Sequence, residues 1–299
     1  MALDHGRHEV APAAVAPAAR LSLEPLDIGF GARVRDVRIQ DLVPAAAEAL
    51  NDALYRHQLL IFEGQSLTAA EYTAFGNMFG PIERHLLEQF HLPQHPDIFV
   101  ISNLKENGRA IGHTDGGFVW HTDMGFAERP AAATMLYTRE APSKGGDTIF
   151  ASTYLSFEGL PDDERSYYAG LDVIHSFEEL YRGRKAQPRD EERKRWPDVI
   201  HPLVRTHPVT GRNGFYLGFG DVRAVSGMEQ DAGLELIKRL ADLTTQPQRV
   251  YRHTWQVGDV VIWDNRGMLH AATPYDKDND RRLVWRISVQ GERPFQAMS

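Results

Sequence analysis

The stretch IGHTDGGFVWHTDMGF, residues 111–126, carries the triplet His-Thr-Asp twice, as His113-Thr114-Asp115 and as His121-Thr122-Asp123. An imidazole and a carboxylate two positions apart are a natural pair of metal ligands, and on an extended chain they share a face. The second copy lies among Phe118, Val119, Trp120, Met124 and Phe126, and reads as a strand. The first lies among Gly108, Gly112, Gly116 and Gly117, the composition of a loop too mobile to fix ligand geometry. The second copy is therefore the expected site, and the first is a polar loop in preference to the lining of a pocket mouth. A lone His-x-Asp also describes a surface histidine beside a solvated carboxylate, so a third ligand is needed. His270, between Met268-Leu269 and Ala271-Ala272, is either a satisfied core histidine or that ligand. Further on, strand parity puts Arg282, Val284 and Arg286 on one face, with Arg281, Leu283, Trp285 and Ile287 on the other. Two guanidiniums on one face of an apolar strand are costly to bury without anions, and a carboxylate ligand is their simplest partner.

The elements that must position these groups are mostly short strands. LLIFEG (59–64), IFVISNL (98–104), FVWHTDMGF (118–126), ATMLYTREA (133–141), DTIFAS (147–152), RVYRHTW (249–255), DVVIWDN (259–265) and RRLVWRISVQG (281–291) are rich in β-branched and aromatic residues and end at Gly, Pro or Asn. Helices are expected over 44–57, from the capping box at Thr68-Ala-Ala-Glu71 to about Phe79, and over 231–244. His207 falls in a hairpin whose Asn213-Gly214 suits the tight turn. Many strands with few long helices between them predict a mainly β chain with flanking helices, a sandwich or jelly roll. Residues 1–20 read as a disordered tail and 21–299 as a single domain. The charged run near 178–200 is a solvated insertion or a lid.

Composition excludes several chemistries. There is no cysteine, so thiolate nucleophiles, disulfides and Cys-type metal sites are absent, which fits a cytoplasmic protein. A formal net charge of −8 without a basic block argues against nucleic acid, and no apolar run approaches a membrane span. Gly29-Phe-Gly31 and Gly218-Phe-Gly220 lack the third glycine of a dinucleotide loop, and neither a GxSxG elbow nor an HExxH helix is present.

Taken in order, Trp120-His121-Thr122-Asp123, Gly145-Gly146-Asp147-Thr148, Trp263-Asp264-Asn265-Arg266 with His270, and Arg282 with Arg286 make the chain resemble a known family. It is that of the taurine and 2,4-dichlorophenoxyacetate dioxygenases, which are iron(II)/2-oxoglutarate-dependent oxygenases. The resemblance covers roughly residues 20–292. It implies the double-stranded β-helix, or jelly roll. It implies that His121, Asp123 and His270 bind Fe(II) on one triangular face, leaving positions for 2-oxoglutarate and O2. By the same resemblance Thr148 and Arg282 hold the distal carboxylate of 2-oxoglutarate, while Arg286 lies near its chelating carboxylate and touches substrate. Oxidative decarboxylation to succinate and CO2 is then coupled to hydroxylation of a substrate C–H bond. Homo-oligomers are common in the family, so one is expected here.

The formal charges of iron(II), Asp123, 2-oxoglutarate and the two guanidiniums leave the site positive. That favours a small anion, such as a phenoxyalkanoate, an alkylsulfonate or a sulfate ester. Hydroxylation beside an ether or sulfonate would lead on to C–O or C–S cleavage. In taurine-type members a histidine after a Phe-Gly pair binds the substrate anion, and His85 after Phe79-Gly80 is similar to it. Asn103, Phe118, Phe177 and Tyr181 are expected on the pocket wall. Three alternatives stand beside this reading: a biosynthetic hydroxylase of an amino acid or natural product, a redox-neutral metal hydrolase or isomerase, and a non-catalytic binding jelly roll. The redox-neutral enzyme would not need Thr148, Arg282 and Arg286 together, and the binding jelly roll has no need of an open metal face.

Overall fold

In the computed structural model, residues 21–297 are described, except 115–116, 183–189 and 219. The expected N-terminal tail, Asp115 and the middle of the charged run lie outside the described residues.

A nine-stranded sheet carries most of the chain. Its central strands run in the order Leu59–Phe62, Val260–Asp264, Ala133–Glu140, Leu283–Val289 and His95–Ser102. Both faces of these strands are buried, which explains their near-continuous apolar runs. Parity sorts them. Leu60, Phe62, Met135, Tyr137, Val260, Ile262, Ile287 and Val289 pack outward against Leu50 and Leu54 of helix Ala47–His57 and Tyr72 and Phe75 of helix Ala69–Asn77. The alternate residues Leu59, Ile61, Leu136, Val261, Trp263 and Val284 face inward. There they meet Phe150 and Met268 of a second, three-stranded sheet, Val250–His253, Thr148–Ser152 and Met268–Ala272. Two sheets face to face with helices outside one of them are the jelly roll that the strand pattern predicts. The capping box forms as expected, with Glu71 N–H donating to Thr68 Oγ1 and Thr68 N–H donating to Glu71 Oε2. No described helix is long and apolar enough to cross a membrane.

Three local expectations fail. Residues 118–126 form no strand: His121 makes one isolated bridge to His270, and a turn follows with Met124 at φ +60°. Asn213 and Gly214 lie within a strand, Asn213–Phe215, and the hairpin turns earlier, with Gly211 at φ +70°. His113 is not in a free loop, because its N–H donates to the Val100 carbonyl and its own carbonyl accepts from Ser102 N–H. The Met268–Ala272 strand that carries His270 escapes a sequence reading, because five residues between two turns show no usable period.

Candidate active site

His121 and His270 meet because their backbones pair. His121 N–H donates to the His270 carbonyl at 3.0 Å, and His270 N–H returns a bond to the His121 carbonyl at 2.9 Å. Parity in Met268–Ala272 then turns His270 and Ala272 inward and Leu269 outward. The chain after His121 bends back toward Asn265. Thr122 Oγ1 donates to the Asn265 carbonyl, and Asp123 N–H approaches Asn265 Oδ1 at 3.4 Å. The Asp123 carboxylate therefore reaches the two imidazoles through a bend rather than through strand parity.

Asp123 Oδ1 lies 3.8 Å from His121 Nε2, and Asp123 Oδ2 lies 3.7 Å from His270 Nε2. These gaps are too long for hydrogen bonds but suit ligands that converge on one ion. One donor atom from each of the three residues lies within 4.8 Å of the others, the one such group among the described residues. His121 Nδ1 donates to the Val119 carbonyl at 2.7 Å, since a carbonyl only accepts. Nε2 is thereby left with its lone pair facing the cluster, the usual outer support of a metal-bound imidazole. The donor set, two imidazoles and one carboxylate on one side of a cavity, fits an open-faced metal centre.

Burial alone would raise the Asp123 pKa, but Arg286, the two imidazoles and the Thr134 hydroxyl hold it well below the usual carboxylate range. Arg286 Nη2 sits 2.9 Å from Asp123 Oδ1, and Thr134 Oγ1 donates to Asp123 Oδ2 at 2.6 Å. Thr134 in turn accepts from Asn265 Nδ2, and Asn265 Oδ1 accepts from Trp263 Nε1. Sequence reasoning missed Thr134 and did not assign Asn265 a task. Their only signal is polarity at inward parity, Thr134 within an apolar strand and Asn265 just past the end of one. Burial and the neighbouring His121 keep His270 neutral by lowering its pKa well below the ordinary value.

The cluster stands between two cavities. The smaller, about 220 Å³, is lined by Phe99, Ile101, Leu136, Thr148, Trp263 and Arg282. Arg282 is only 8% exposed, its Nε has no partner, and no carboxylate pairs with it among the described residues. Burial lowers its pKa from the ordinary value, and its guanidinium lies 5.9 Å from the centroid of the Tyr275 ring. The outward partner Arg281 instead forms an exposed ion pair with Glu140, as its parity predicts. In the Gly145-Gly146 pair, φ of +75° and +68° and a Cβ position 2.3 Å from the Pro274 carbonyl oxygen require glycine. That close approach draws the chain around Tyr275 against the loop leading into Thr148.

The larger cavity, about 470 Å³, shares His85, His121, Asp123 and Arg286 with the smaller. Phe177 and Tyr181 line it as expected, together with Phe126, Leu180, Arg195 and Trp196. The described ends of the charged run therefore form cavity wall, with the Trp196 ring edge-on to Phe126 at 5.3 Å. His85 stacks on Phe99 with ring centroids 3.8 Å apart, and its Nδ1 accepts from Leu87 N–H. Burial, then Arg286 and His113, push its pKa down to about 3. It is thus a neutral imidazole with its hydrogen on Nε2. Two expected wall residues are elsewhere. Asn103 lines neither cavity, because its amide donates to the Lys277 and Asp280 carbonyls and accepts from Arg282 N–H, bracing the entry to the Arg282 strand. Phe118 is 44% exposed beneath the Lys277 ammonium, since the chain turns it away from the cluster.

Residues 22–288 match the taurine catabolism dioxygenase TauD, TfdA family. The chain belongs to this family. It is a 2-oxoglutarate-dependent dioxygenase by class. It is 31% identical over 286 residues to the (S)-phenoxypropionate/alpha-ketoglutarate-dioxygenase of Sphingobium herbicidovorans, covering 90% of this chain and 95% of that one. It is 32% identical to pentalenolactone F synthase of Streptomyces arenae, covering 87% and 92%. The crystal structure of AAD-2 in complex with Mn(II) and N-oxalylglycine superposes with a TM-score of 0.77 at 29% identity, over 92% of this chain and 99% of that one.

One pH effect follows from the bend after Asp123. His201 Nε2 donates to the Ala127 carbonyl, its Nδ1 has no partner, and burial lowers its pKa from 6.5 to about 4. A depressed histidine stabilises the fold fully above its unfolded pKa and loses that contribution as pH falls toward the folded value. Between pH 6.5 and pH 4 this is roughly 2–3 kcal/mol. Urea denaturation of the metal-free protein is expected to show stability falling over that window, with a shallower fall in His201→Asn. Identical slopes in the two proteins would refute it.

Proposed function

We propose that His121, Asp123 and His270 hold iron(II), that Thr148 and Arg282 hold 2-oxoglutarate in the smaller cavity, and that a small anion is hydroxylated in the larger one. The observation that carries this reading is the buried, anion-free guanidinium of Arg282 in the same cavity as the open-faced ligand cluster. An unpaired buried cation is costly and marks where an anionic ligand belongs. Iron(II) would supply the O2 and one-electron chemistry of decarboxylation and hydroxylation.

The protein's own groups do the rest. Arg282 can fork onto a carboxylate, and Thr148 can donate to it. Arg286, already 2.9 Å from Asp123, places a positive charge at the boundary of the two cavities. Phe99, Ile101, Leu136 and Trp263 exclude water around the co-substrate. On the substrate side, Arg286 and the neutral N–H of His85 offer an anion two donors. Phe126, Phe177, Leu180 and Trp196 offer an apolar body its wall. The same cavity is also lined by Glu88 and Asp221 and by the guanidinium-bearing Arg195, so charge of both signs borders the substrate space. A compact monoanion with an apolar or aromatic body, such as a phenoxyalkanoate, an alkylsulfonate or an alkyl sulfate, fits this division. The phenoxypropionate relative supports it. The synthase among the relatives supports a second reading, a biosynthetic hydroxylase of an amino acid or natural product.

Protein loaded anaerobically with Fe(II) and then given 2-oxoglutarate and air is expected to release succinate with phenoxyalkanoates, alkylsulfonates or alkyl sulfates. The favoured anion should exceed its neutral alcohol or amide counterpart in kcat/KM by at least ~10-fold, the worth of one charge-assisted contact. Equal turnover of neutral and anionic members of each pair would overturn the anion assignment.

A further inference from the structure

Trp255 lies behind the co-substrate cavity and has no part in the chemistry derived so far. Its indole Nε1 is 3.0 Å from Thr148 Oγ1, and both residues are buried. An indole N–H can only donate, so the Thr148 oxygen is the acceptor and its own hydrogen must turn elsewhere. Among the described residues nothing receives that hydrogen, and Thr148 faces the cavity that Arg282 also lines.

Trp255 is itself firmly held. Asp259 Oδ2 accepts from Gln256 N–H at 3.0 Å and from His253 Nε2 at 3.1 Å, clamping the chain on both sides of the indole. The His253 ring meets the Trp255 ring edge-on with centroids 4.5 Å apart. His253 is also the residue directly opposite Thr148 across the Val250–His253 and Thr148–Ser152 ladder. One buried His–Asp pair thus fixes both the indole and the strand that carries its acceptor.

We propose that Trp255, held by His253 and Asp259, is a positioning residue that aims the Thr148 hydroxyl hydrogen at the distal carboxylate of 2-oxoglutarate. The inference rests on the co-substrate reading given above. A threonine hydroxyl is a rotor with one hydrogen and two lone pairs. A fixed donor on one lone pair removes the competing orientations and polarises the O–H bond. The ordering is complete before the ligand arrives, so binding does not bear its entropy.

The test measures equilibrium binding by calorimetry, without O2, to Mn(II)-loaded protein. The ligands are 2-oxoglutarate and 2-oxopentanoate, which keeps the chelating keto acid and lacks the distal carboxylate. Trp255→Phe, which removes the donor and keeps an aromatic ring, is expected to weaken 2-oxoglutarate about tenfold, the scale of one hydrogen bond to a charged group. It should leave 2-oxopentanoate unchanged, and it should add nothing further on top of Thr148→Val. If Trp255→Phe does not fold, benzothienylalanine at position 255 keeps the shape, replaces N–H by sulfur, and should give the same result. Wild-type affinity for 2-oxoglutarate in these variants, equal losses for both ligands, or losses additive with Thr148→Val would overturn the role of Trp255. Wild-type protein that binds the two ligands equally would instead overturn the co-substrate reading, and this inference with it.

Discussion

Asp123→Ala is expected to lower succinate-forming turnover by at least ~10³-fold, about 4 kcal/mol of transition-state stabilisation. Asp123 is the only anionic donor in the cluster, since a metal ion takes up an imidazole in its neutral form. Its removal also changes the sign of its surroundings. Arg286 Nη2, 2.9 Å from Asp123 Oδ1, would be left pointing at the metal position with its charge uncompensated. The same variant strands the hydroxyl hydrogen of Thr134, which now goes to Asp123 Oδ2, while Asn265 Nδ2 keeps its acceptor in Thr134 Oγ1. A buried donor left unmade costs about 1–3 kcal/mol, so the metal-free protein should lose stability as well. His270→Ala leaves the carboxylate and its network intact and should be the milder change for the metal-free fold. Calorimetric titration with Mn(II), thermal denaturation without metal and succinate release check the three parts. Metal affinity equal to wild type, or turnover within tenfold of it, would refute the assignment of Asp123.

Arg282→Met should give the opposite pattern in the empty protein. A buried guanidinium with no anion is a cost to the fold, so an apolar side chain of similar length is expected to leave the metal-free melting temperature unchanged or raise it. Binding of 2-oxoglutarate should fall by about 2–5 kcal/mol, the range for removing one partner of a buried charge pair. A structural arginine would behave in reverse, with stability lost and ligand affinity kept. That outcome, read from melting curves and calorimetry side by side, would remove the main support for the co-substrate cavity.

Several parts of this centre are legible from residue order. The inward parity of Arg286 follows from the strand Leu283–Val289, whose other face, Trp285 and Ile287, is itself apolar and packed. Arg282 keeps the same face one residue before that strand, beside a register shift at Leu283/Val284. Periodicity suffices there because each residue's face is set by its immediate neighbours. The segment 118–126 shows the limit. Its aromatic residues read as a strand, yet Asn265, far along the chain, takes the Thr122 hydroxyl and the Asp123 N–H and bends the segment. Asn103 and Phe118 have the right chemistry for a pocket wall but face other partners, Asn103 the carbonyls of 277 and 280 and Phe118 the ammonium of Lys277. Likewise Trp255 carries no local mark that distinguishes it from any core tryptophan, and its contact with Thr148 exists only across the ladder.

The amino-acid order alone determined the donor types, the inward arginines, the absence of thiol chemistry and the β-rich class, because each depends on side-chain identity or on a period of two. Only the folded chain decided that His270 stands beside His121, that Thr134 and Asn265 hold Asp123, and that two cavities rather than one meet at the cluster. Those facts arise from hydrogen bonds and packing between residues distant in the chain, and no local pattern encodes them.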